Sequence, residues 1–193
     1  MSCLPFLKSK VLLLGKRARI AIVGPSEVGK TRFFKRLSGL EVSETFPNKI
    51  NISNRTMELE IENESHYICY EFWDIPSTCS LGEIEGLVGD TEFDGIFYLF
   101  SATAPSFPDP LPHIFPFLSH TTKVLFPIAH RVDEVGVKGE EGLWWERERE
   151  QVVELKDHEI IQLRAVGVSS QFGDGILKVM KIMGSEMIKL GYA

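Results

Sequence analysis

The chain has 193 residues, of which 44% are hydrophobic and 25% charged, a composition typical of one soluble globular domain. Its formal net charge of −6 provides no basic surface for a nucleic acid or an anionic membrane, so we expect no nucleic-acid partner. The three cysteines Cys3, Cys69 and Cys79 form no metal or disulfide pattern, which indicates a reducing, cytoplasmic compartment.

Residues 1–17 are predicted to be an N-terminal extension, and residues 18–193 to be the domain itself. Apolar runs at 4–7 and 11–14 are interrupted by proline and lysine and are too short for a signal sequence or a membrane span. Position 2 is not glycine and the C-terminus carries no cysteine. We therefore expect no direct lipid anchor.

An apolar strand pattern at 20–23 is followed by Gly-x-x-x-x-Gly-Lys-Thr at residues 24–31 and then by a helical pattern. Gly24 and Gly29 allow the tight turn that aims backbone N–H groups at phosphate oxygens. Lys30 is placed to reach the β- and γ-phosphates, and the Thr31 hydroxyl to ligate magnesium. This stretch predicts a phosphate-binding loop whose nucleotide contacts are Ser26, Glu27, Val28, Gly29, Lys30, Thr31 and Arg32.

Strand and helix patterns alternate along the rest of the chain. Apolar alternation at 57–62 and 66–74 predicts an antiparallel hairpin that ends at Asp74, and buried strands are predicted at 95–100, 123–129 and 160–168. Prolines allow only a short helix at 114–119, whereas an apolar stripe from Ile176 to Leu190 predicts a closing helix. The fold class is therefore α/β, a mostly parallel six-stranded sheet with one antiparallel hairpin and helices on both faces.

A charged helix is also predicted at 143–156, and it carries the adjacent pair Trp144 and Trp145. Trp145 can share a core-facing stripe, whereas Trp144 lies about 100° away around the helix. Both rings are compatible with a core, and an exposed Trp144 is also compatible with a partner surface.

Polar residues at the ends of the last two predicted strands suit a guanine base. Asp133 can accept two hydrogen bonds from the guanine N1–H and exocyclic amine, a pattern that adenine does not offer. The Arg131 side chain can lie over the base plane. The run Ser169-Ser170-Gln171 can turn a backbone N–H, that of Ser170, toward the guanine O6.

These sites, in this order, resemble those of a Ras-superfamily small GTPase from about Arg19 to the C-terminus. Residues 24–31 match the family phosphate loop in full, whereas 73–77, 130–133 and 169–171 occupy the Asp-x-x-Gly, Asn-Lys-x-Asp and Ser-Ala-Lys motifs. The resemblance implies a Ras-like domain over 18–193 that binds GTP or GDP with Mg²⁺, with Asp74 holding the ion through water. Segments 42–50 and 75–90 would be the two switches. The implied nucleotide contacts beyond the loop are Ser77, His130, Arg131, Asp133, Ser169, Ser170 and Gln171.

Several positions depart from the family pattern. Asn48 stands where the family has a magnesium-binding Thr, which leaves Thr45 as the nearby hydroxyl for the metal. Ser77 replaces the Gly that senses the γ-phosphate, and Thr78 replaces the Gln that orients the attacking water. The two catalytic positions are therefore Lys30 and Thr78, and Thr78 is expected to be ineffective at orienting water. We expect the rate of GTP hydrolysis to lie well below about 10⁻⁴ s⁻¹. His130 and Arg131 replace Asn and Lys and are expected to weaken base binding.

Within the superfamily, the run Ile128-Ala129-His130 and the missing Gln are most similar to Rab-like subunits of the intraflagellar transport B complex. That resemblance implies a nucleotide-loaded adaptor that docks on coiled-coil subunits of the transport complex in the cytoplasm and the cilium or flagellum. One alternative is a cycling Rab-, Ras- or Arf-like switch, activated by a partner protein in membrane trafficking. Another is a small P-loop kinase, which would need an Arg-rich lid that the sequence lacks.

Overall fold

A computed structural model describes residues 16–41, 49–61, 64–79, 82, 83, 86, 92–104, 109–118, 122–134 and 160–192. Three sequence predictions lie outside the described residues. These are most of the N-terminal extension, the 42–48 segment with Thr45 and Asn48, and the helix predicted at 143–156 with Trp144 and Trp145.

Seven strands form one sheet in the described part of the chain, in the order β2-β3-β1-β4-β5-β6, with β7 also paired to β5. Every neighbouring pair is parallel except β2 and β3, whose register runs from Asn51 opposite Asp74 to Ile61 opposite Glu64. The predicted mostly parallel sheet with one antiparallel hairpin is thus confirmed. The strands are β1 Ala18–Val23, β2 Asn51–Ile61, β3 Glu64–Asp74, β4 Gly95–Ser101, β5 Val124–His130, β6 Ile161–Gln162 and β7 Val166–Val168.

The predicted count of six strands is corrected to seven because the strand expected at 160–168 is divided. Leu125 pairs with Gln162 and Ile128 with Val166, so three steps along β5 correspond to four steps along its neighbour. Pro127 stands in β5 at this interruption. Proline has no N–H to donate to a sheet ladder, which gives a physical reason for the bulge between β6 and β7.

The helices with both ends among the described residues are α1 Lys30–Ser38, α2 Leu111–Ile114 and α3 Ile176–Lys189, with 3₁₀ turns at Phe115–Phe117 and Val132–Glu134. The described residues 82, 83 and 86 are also helical. The short helix predicted at 114–119 is corrected, because the α-helix covers Leu111–Ile114 and only a 3₁₀ turn follows it to Phe117. The earlier start is possible because Pro112 falls in the first turn, where a missing N–H costs no hydrogen bond. None of the described helices combines the length and apolar content needed to cross a bilayer.

The core has two layers, one on each face of the sheet. α1 and α3 cover one face through Phe33, Leu37, Met180 and Met183, which pack against the inward side chains of the strands. α2 and its 3₁₀ turn cover the other face through residues such as Ile114. Helices therefore lie on both faces, as predicted, and the ends of β1, β3 and β5 converge on one edge beside the start of α1.

Candidate functional site

The loop between β1 and α1 is shaped by two glycines with positive φ. Gly24 has φ 145°, and a Cβ there would come within 2.2 Å of the Leu99 carbonyl oxygen in β4. Gly29 has φ 95°, and a Cβ there would come within 2.5 Å of the His130 ring. Both positions demand glycine for conformation and for space, so the loop is held tightly against the strand ends beneath it.

Lys30 begins α1 and folds back over this loop. Its Nζ donates hydrogen bonds to the Gly24 carbonyl at 3.0 Å and to the Pro25 carbonyl at 2.7 Å. The residue is only 7% exposed, and burial lowers the pKa of its ammonium while the nearby Asp74 carboxylate opposes that shift. A cation is therefore fixed at the N-terminal end of a helix, where backbone N–H groups also favour anions.

A cavity of about 380 Å³ opens beside this cation. Ser26 Oγ and Ser77 Oγ lie 2.8 Å apart at its lining and join the loop to the segment that follows β3. Three cationic side chains and one carboxylate face it, so its charge suits a polyanion. The full lining is Ser26, Glu27, Gly29, Lys30, Thr31, Arg32, Lys49, Pro76, Ser77 and Thr78.

Asp74 ends β3 next to the start of α1 and is 1% exposed. Its Oδ1 is buried without a hydrogen-bond partner among the described residues, and its Oδ2 accepts a long 3.5 Å bond from Asn51 Nδ2. Burial raises the pKa of this carboxyl, opposed chiefly by the Thr31 and Asn51 side chains. An unsatisfied buried carboxylate oxygen beside a threonine hydroxyl fits the oxygen ligands that Mg²⁺ prefers. Thr45, the third predicted metal ligand, lies outside the described residues.

His130 lies under the loop and does not line the cavity, although it was predicted to contact nucleotide. Its ring is 2% exposed, packs edge-on against Phe33 with centroids 6.4 Å apart, and shares a 2.6 Å hydrogen bond between Nε2 and Ser170 Oγ. Burial lowers the pKa of His130 to about 4, although the Val28 backbone and the Asp133 carboxylate both act to raise it. His130 is therefore a neutral link between the loop at 24–29 and the loop after β7.

Arg131 and Asp133 follow β5 at the sheet edge. Arg131 adopts φ 67°, and its guanidinium is paired with Glu134 through Nε–Oε1 and Nη2–Oε2 distances of 2.7 Å. The guanidinium is thus paired with a carboxylate, whereas the position of the Arg131 stem or guanidinium over a base plane stays a prediction. Asp133 is exposed in the following 3₁₀ turn.

The loop after β7 contains the buried residues Ser169 and Ser170. Arg36, in the last turn of α1, donates from Nε to the Ser170 carbonyl and from Nη2 to the Gln171 carbonyl, both at 2.6 Å. Sequence reasoning missed Arg36, because a basic residue at a helix C-terminus is common and nothing in its spacing points to a partner 134 residues away. The structure therefore connects the far end of α1 to the loop at 169–171.

The structure divides the predicted site residues into two groups. Eight line the cavity, namely Ser26, Glu27, Gly29, Lys30, Thr31, Arg32, Ser77 and Thr78. Eight lie outside its lining, namely Val28, Asp74, His130, Arg131, Asp133, Ser169, Ser170 and Gln171, and Thr45 is not among the described residues. Val28 is buried at 3% exposure within the core under α1.

The mostly parallel sheet, its one antiparallel pair and the glycine loop between β1 and α1 make a mixed α/β fold that is consistent with a GTPase-like fold. Among solved structures, the crystal structure of a bacterial selenocysteine-specific elongation factor, EF-Sec, matches with a TM-score of 0.63 and 20% sequence identity. The match covers 90% of this chain and 29% of that chain, so this chain spans less than a third of that protein's length. At this identity the similarity concerns the fold. The narrower likeness to small GTPases of intraflagellar transport stays a prediction.

No family model matches the sequence. No curated protein matches it either.

Proposed function

We propose that the chain binds a guanine nucleotide, GTP or GDP, with its phosphates in the cavity beside α1. The observation that carries this proposal is the position of Lys30, buried at a helix N-terminus and held by the Gly24 and Pro25 carbonyls of a glycine loop. Arg32 and Lys49 add positive charge to the same cavity. A cation, helix N–H groups and a tight glycine turn together form an arrangement suited to a polyphosphate.

Base recognition is assigned to the neighbouring sheet edge. Asp133 would accept two hydrogen bonds from the guanine N1–H and amine, and the 169–171 loop would supply a backbone N–H to O6. The exposure of Asp133 and the tethering of the 169–171 loop by Arg36 support this assignment, since one group is accessible and the other is held in place.

Magnesium would be held by the Thr31 hydroxyl and, through water, by Asp74. The unpartnered Oδ1 of Asp74 supports this assignment. When bound, the ion would neutralise charge on the nucleotide phosphates. The chain's own contribution is to keep the Asp74 carboxylate close to Thr31 and Lys30 at the end of β3.

We further propose that hydrolysis is slow and that nucleotide mainly sets the shape of the protein's surface. Ser77 shares its hydroxyl hydrogen bond with Ser26, and Thr78 lines the cavity where a water-orienting Gln would be needed. Lys30, as a buried cation at the start of α1, can stabilise transition-state charge. Such a protein acts as a nucleotide-loaded adaptor.

The partners that we propose are coiled-coil subunits of an intraflagellar transport complex, encountered in the cytoplasm and the cilium or flagellum. The support is the sequence resemblance carried by Ile128-Ala129-His130 and by the pattern of lost switch residues. A cycling GTPase of membrane trafficking would instead need a partner protein that positions the attacking water in the cavity.

The test is titration of the nucleotide-free protein with fluorescent GTP, GDP and ATP, with and without Mg²⁺, followed by single-turnover hydrolysis. Guanine-selective binding without measurable turnover is expected. Lys30→Ala should weaken GTP binding by about 10- to 100-fold, because it removes a charge-assisted hydrogen bond to phosphate. Lys181→Ala, an exposed lysine on α3, is the matched control and should bind like wild type.

Three results would contradict parts of the proposal. Equal binding of ATP and GTP would overturn the base assignment, and a Lys30→Ala protein with wild-type affinity would show that the cavity is not the phosphate site. Rapid hydrolysis by the wild type alone would replace the adaptor with a cycling enzyme. Thermal melting of each variant verifies folding, because Lys30 also bonds two loop carbonyls.

A further inference from the structure

Arg36 joins the end of α1 to the loop at 169–171. Its Nε and Nη2 donate to two successive carbonyls, those of Ser170 and Gln171, at 2.6 Å each. A guanidinium presents several donors in a fixed planar fork, so these two bonds define the orientation of both carbonyl groups together. Bonds to a charged donor are also stronger than neutral ones.

The same loop is held from a second side by His130, whose Nε2 lies 2.6 Å from Ser170 Oγ. Within the loop, the Phe172 N–H donates to Ser169 Oγ at 3.3 Å, and the Gly173 N–H donates to the Ser169 carbonyl at 2.8 Å. A trans peptide is planar, so a carbonyl aimed at Arg36 turns the N–H of the next residue the opposite way. Arg36 therefore fixes which way the Gln171 N–H points and anchors the carbonyl side of Ser170, whose own N–H, predicted to meet the guanine O6, lies in the preceding peptide with the Ser169 carbonyl.

We propose that Arg36 is a positioning residue for recognition of the guanine base. This inference rests on the proposed function, in which the 169–171 loop offers backbone N–H groups to the base. Arg36 holds those groups in place before the nucleotide arrives, so the loop loses little conformational freedom on binding. Without Arg36, nucleotide binding must order the loop, and affinity for the base falls.

Arg36 acts on the base end only. It does not line the phosphate cavity, which is bounded by the start of α1 and the segment after β3. Its removal should leave the affinity for a ligand that has phosphates and no base unchanged. This selectivity distinguishes a positioning role from a general contribution to folding.

The chain offers a matched control at the same helix end. Arg55 on β2 donates from Nη1 to the Leu37 carbonyl and, at 3.4 Å, to the Arg36 carbonyl. It thus bonds the C-terminal carbonyls of α1, and it has no hydrogen bond to the 169–171 loop among the contacts of the described residues. Arg55→Ala perturbs the helix end and spares the loop.

The experiment measures dissociation constants of Mg²⁺-GTP and of inorganic tripolyphosphate for the full chain and its variants. Arg36→Ala should weaken GTP binding by about 10- to 100-fold, the effect of losing hydrogen bonds to a charged group, and leave tripolyphosphate binding within about twofold. Arg36→Lys keeps the cation without the planar fork and should lose part of the GTP affinity. Arg55→Ala should change both ligands equally or neither.

Three results would overturn the inference alone: unchanged GTP affinity in Arg36→Ala, equal weakening of both ligands, or the same selective loss in Arg55→Ala. Wild-type protein that binds GTP no more tightly than ATP would overturn the proposed function, and this inference with it. Thermal melting accompanies each titration, and Arg36→Lys supplies the test should Arg36→Ala fail to fold.

Discussion

His130 is buried between Gly29 and Ser170, and its neutral imidazole makes a hydrogen bond that couples two loops. Burial lowers its pKa from an ordinary value of 6.5 to about 4. The unfolded chain therefore binds a proton at this residue more readily than the folded protein does. Stability contributed by neutral His130 is present above pH 6.5 and is lost as the pH falls toward 4.

We expect the free energy of unfolding to depend less on pH in a His130→Asn variant than in the wild type. The slopes of unfolding free energy against pH should differ between the two proteins by at most about 1.4 kcal/mol per pH unit. This difference should be confined to about pH 4–6.5. Denaturant unfolding at several pH values measures it. Asp74 titrates in both proteins, so the difference between them isolates His130, and parallel pH profiles would contradict the assignment.

Asp133 carries the predicted choice of base, and its exposed position leaves its carboxylate accessible. Asp133→Ala should lower GTP affinity by about 10- to 100-fold through the loss of charge-assisted hydrogen bonds, with ATP affinity unchanged. Competition titration with GTP and ATP measures the ratio. Glu60→Ala, which removes an exposed carboxylate on β2, is the control. Full guanine selectivity in Asp133→Ala would place base recognition elsewhere.

Among the elements, α3 shows most directly how a sequence pattern becomes packing. The predicted stripe is buried at Val179, Met180, Met183 and Met187, which cover the sheet face beside α1. Leu177 lies off that stripe and is 60% exposed. A helical period of 3.6 residues produces this separation, because residues three and four apart share a face.

Met183→Ala is expected to lower the free energy of unfolding by about 2–5 kcal/mol, since it removes a fully buried side chain and leaves a cavity. Leu177→Ala, on the same helix, should change it by no more than about 0.5 kcal/mol. Urea denaturation of both variants provides the comparison. Equal losses would mean that α3 packs through a different face.

At the scale of the whole molecule, the strand ends and the start of α1 meet at one edge, where parallel sheets commonly bind ligands. Residues distant in sequence are joined there, including Lys30 with Asp74 and His130 with Ser170. A ligand that fills this edge contacts several elements of the folded state and none of them in the unfolded chain. Binding should therefore stabilise the entire domain.

We expect Mg²⁺-GTP or Mg²⁺-GDP at 100 times its dissociation constant to add about 2.7 kcal/mol to the free energy of unfolding. For a domain of this size, that corresponds to a rise in Tm of about 5–10 °C. Differential scanning fluorimetry measures the shift, with ATP as the control. A rise of the same size with ATP would argue against a guanine site.

Patterns among residues close together in the sequence determined much of the secondary structure and the position of the glycine loop. The apolar periods predicted the hairpin, the buried strands and the α3 stripe, and the glycine spacing predicted the loop that encloses Lys30. Such features depend on residues close together in the chain, where backbone sterics and side-chain periodicity act directly.

Only the tertiary structure decided the rest. It placed Arg36 against a loop 134 residues away, committed the Arg131 guanidinium to Glu134, and buried His130 beneath Gly29. It also divided the last strand opposite Pro127. Each outcome depends on which distant groups meet in space, and neither local periodicity nor motif spacing contains that information.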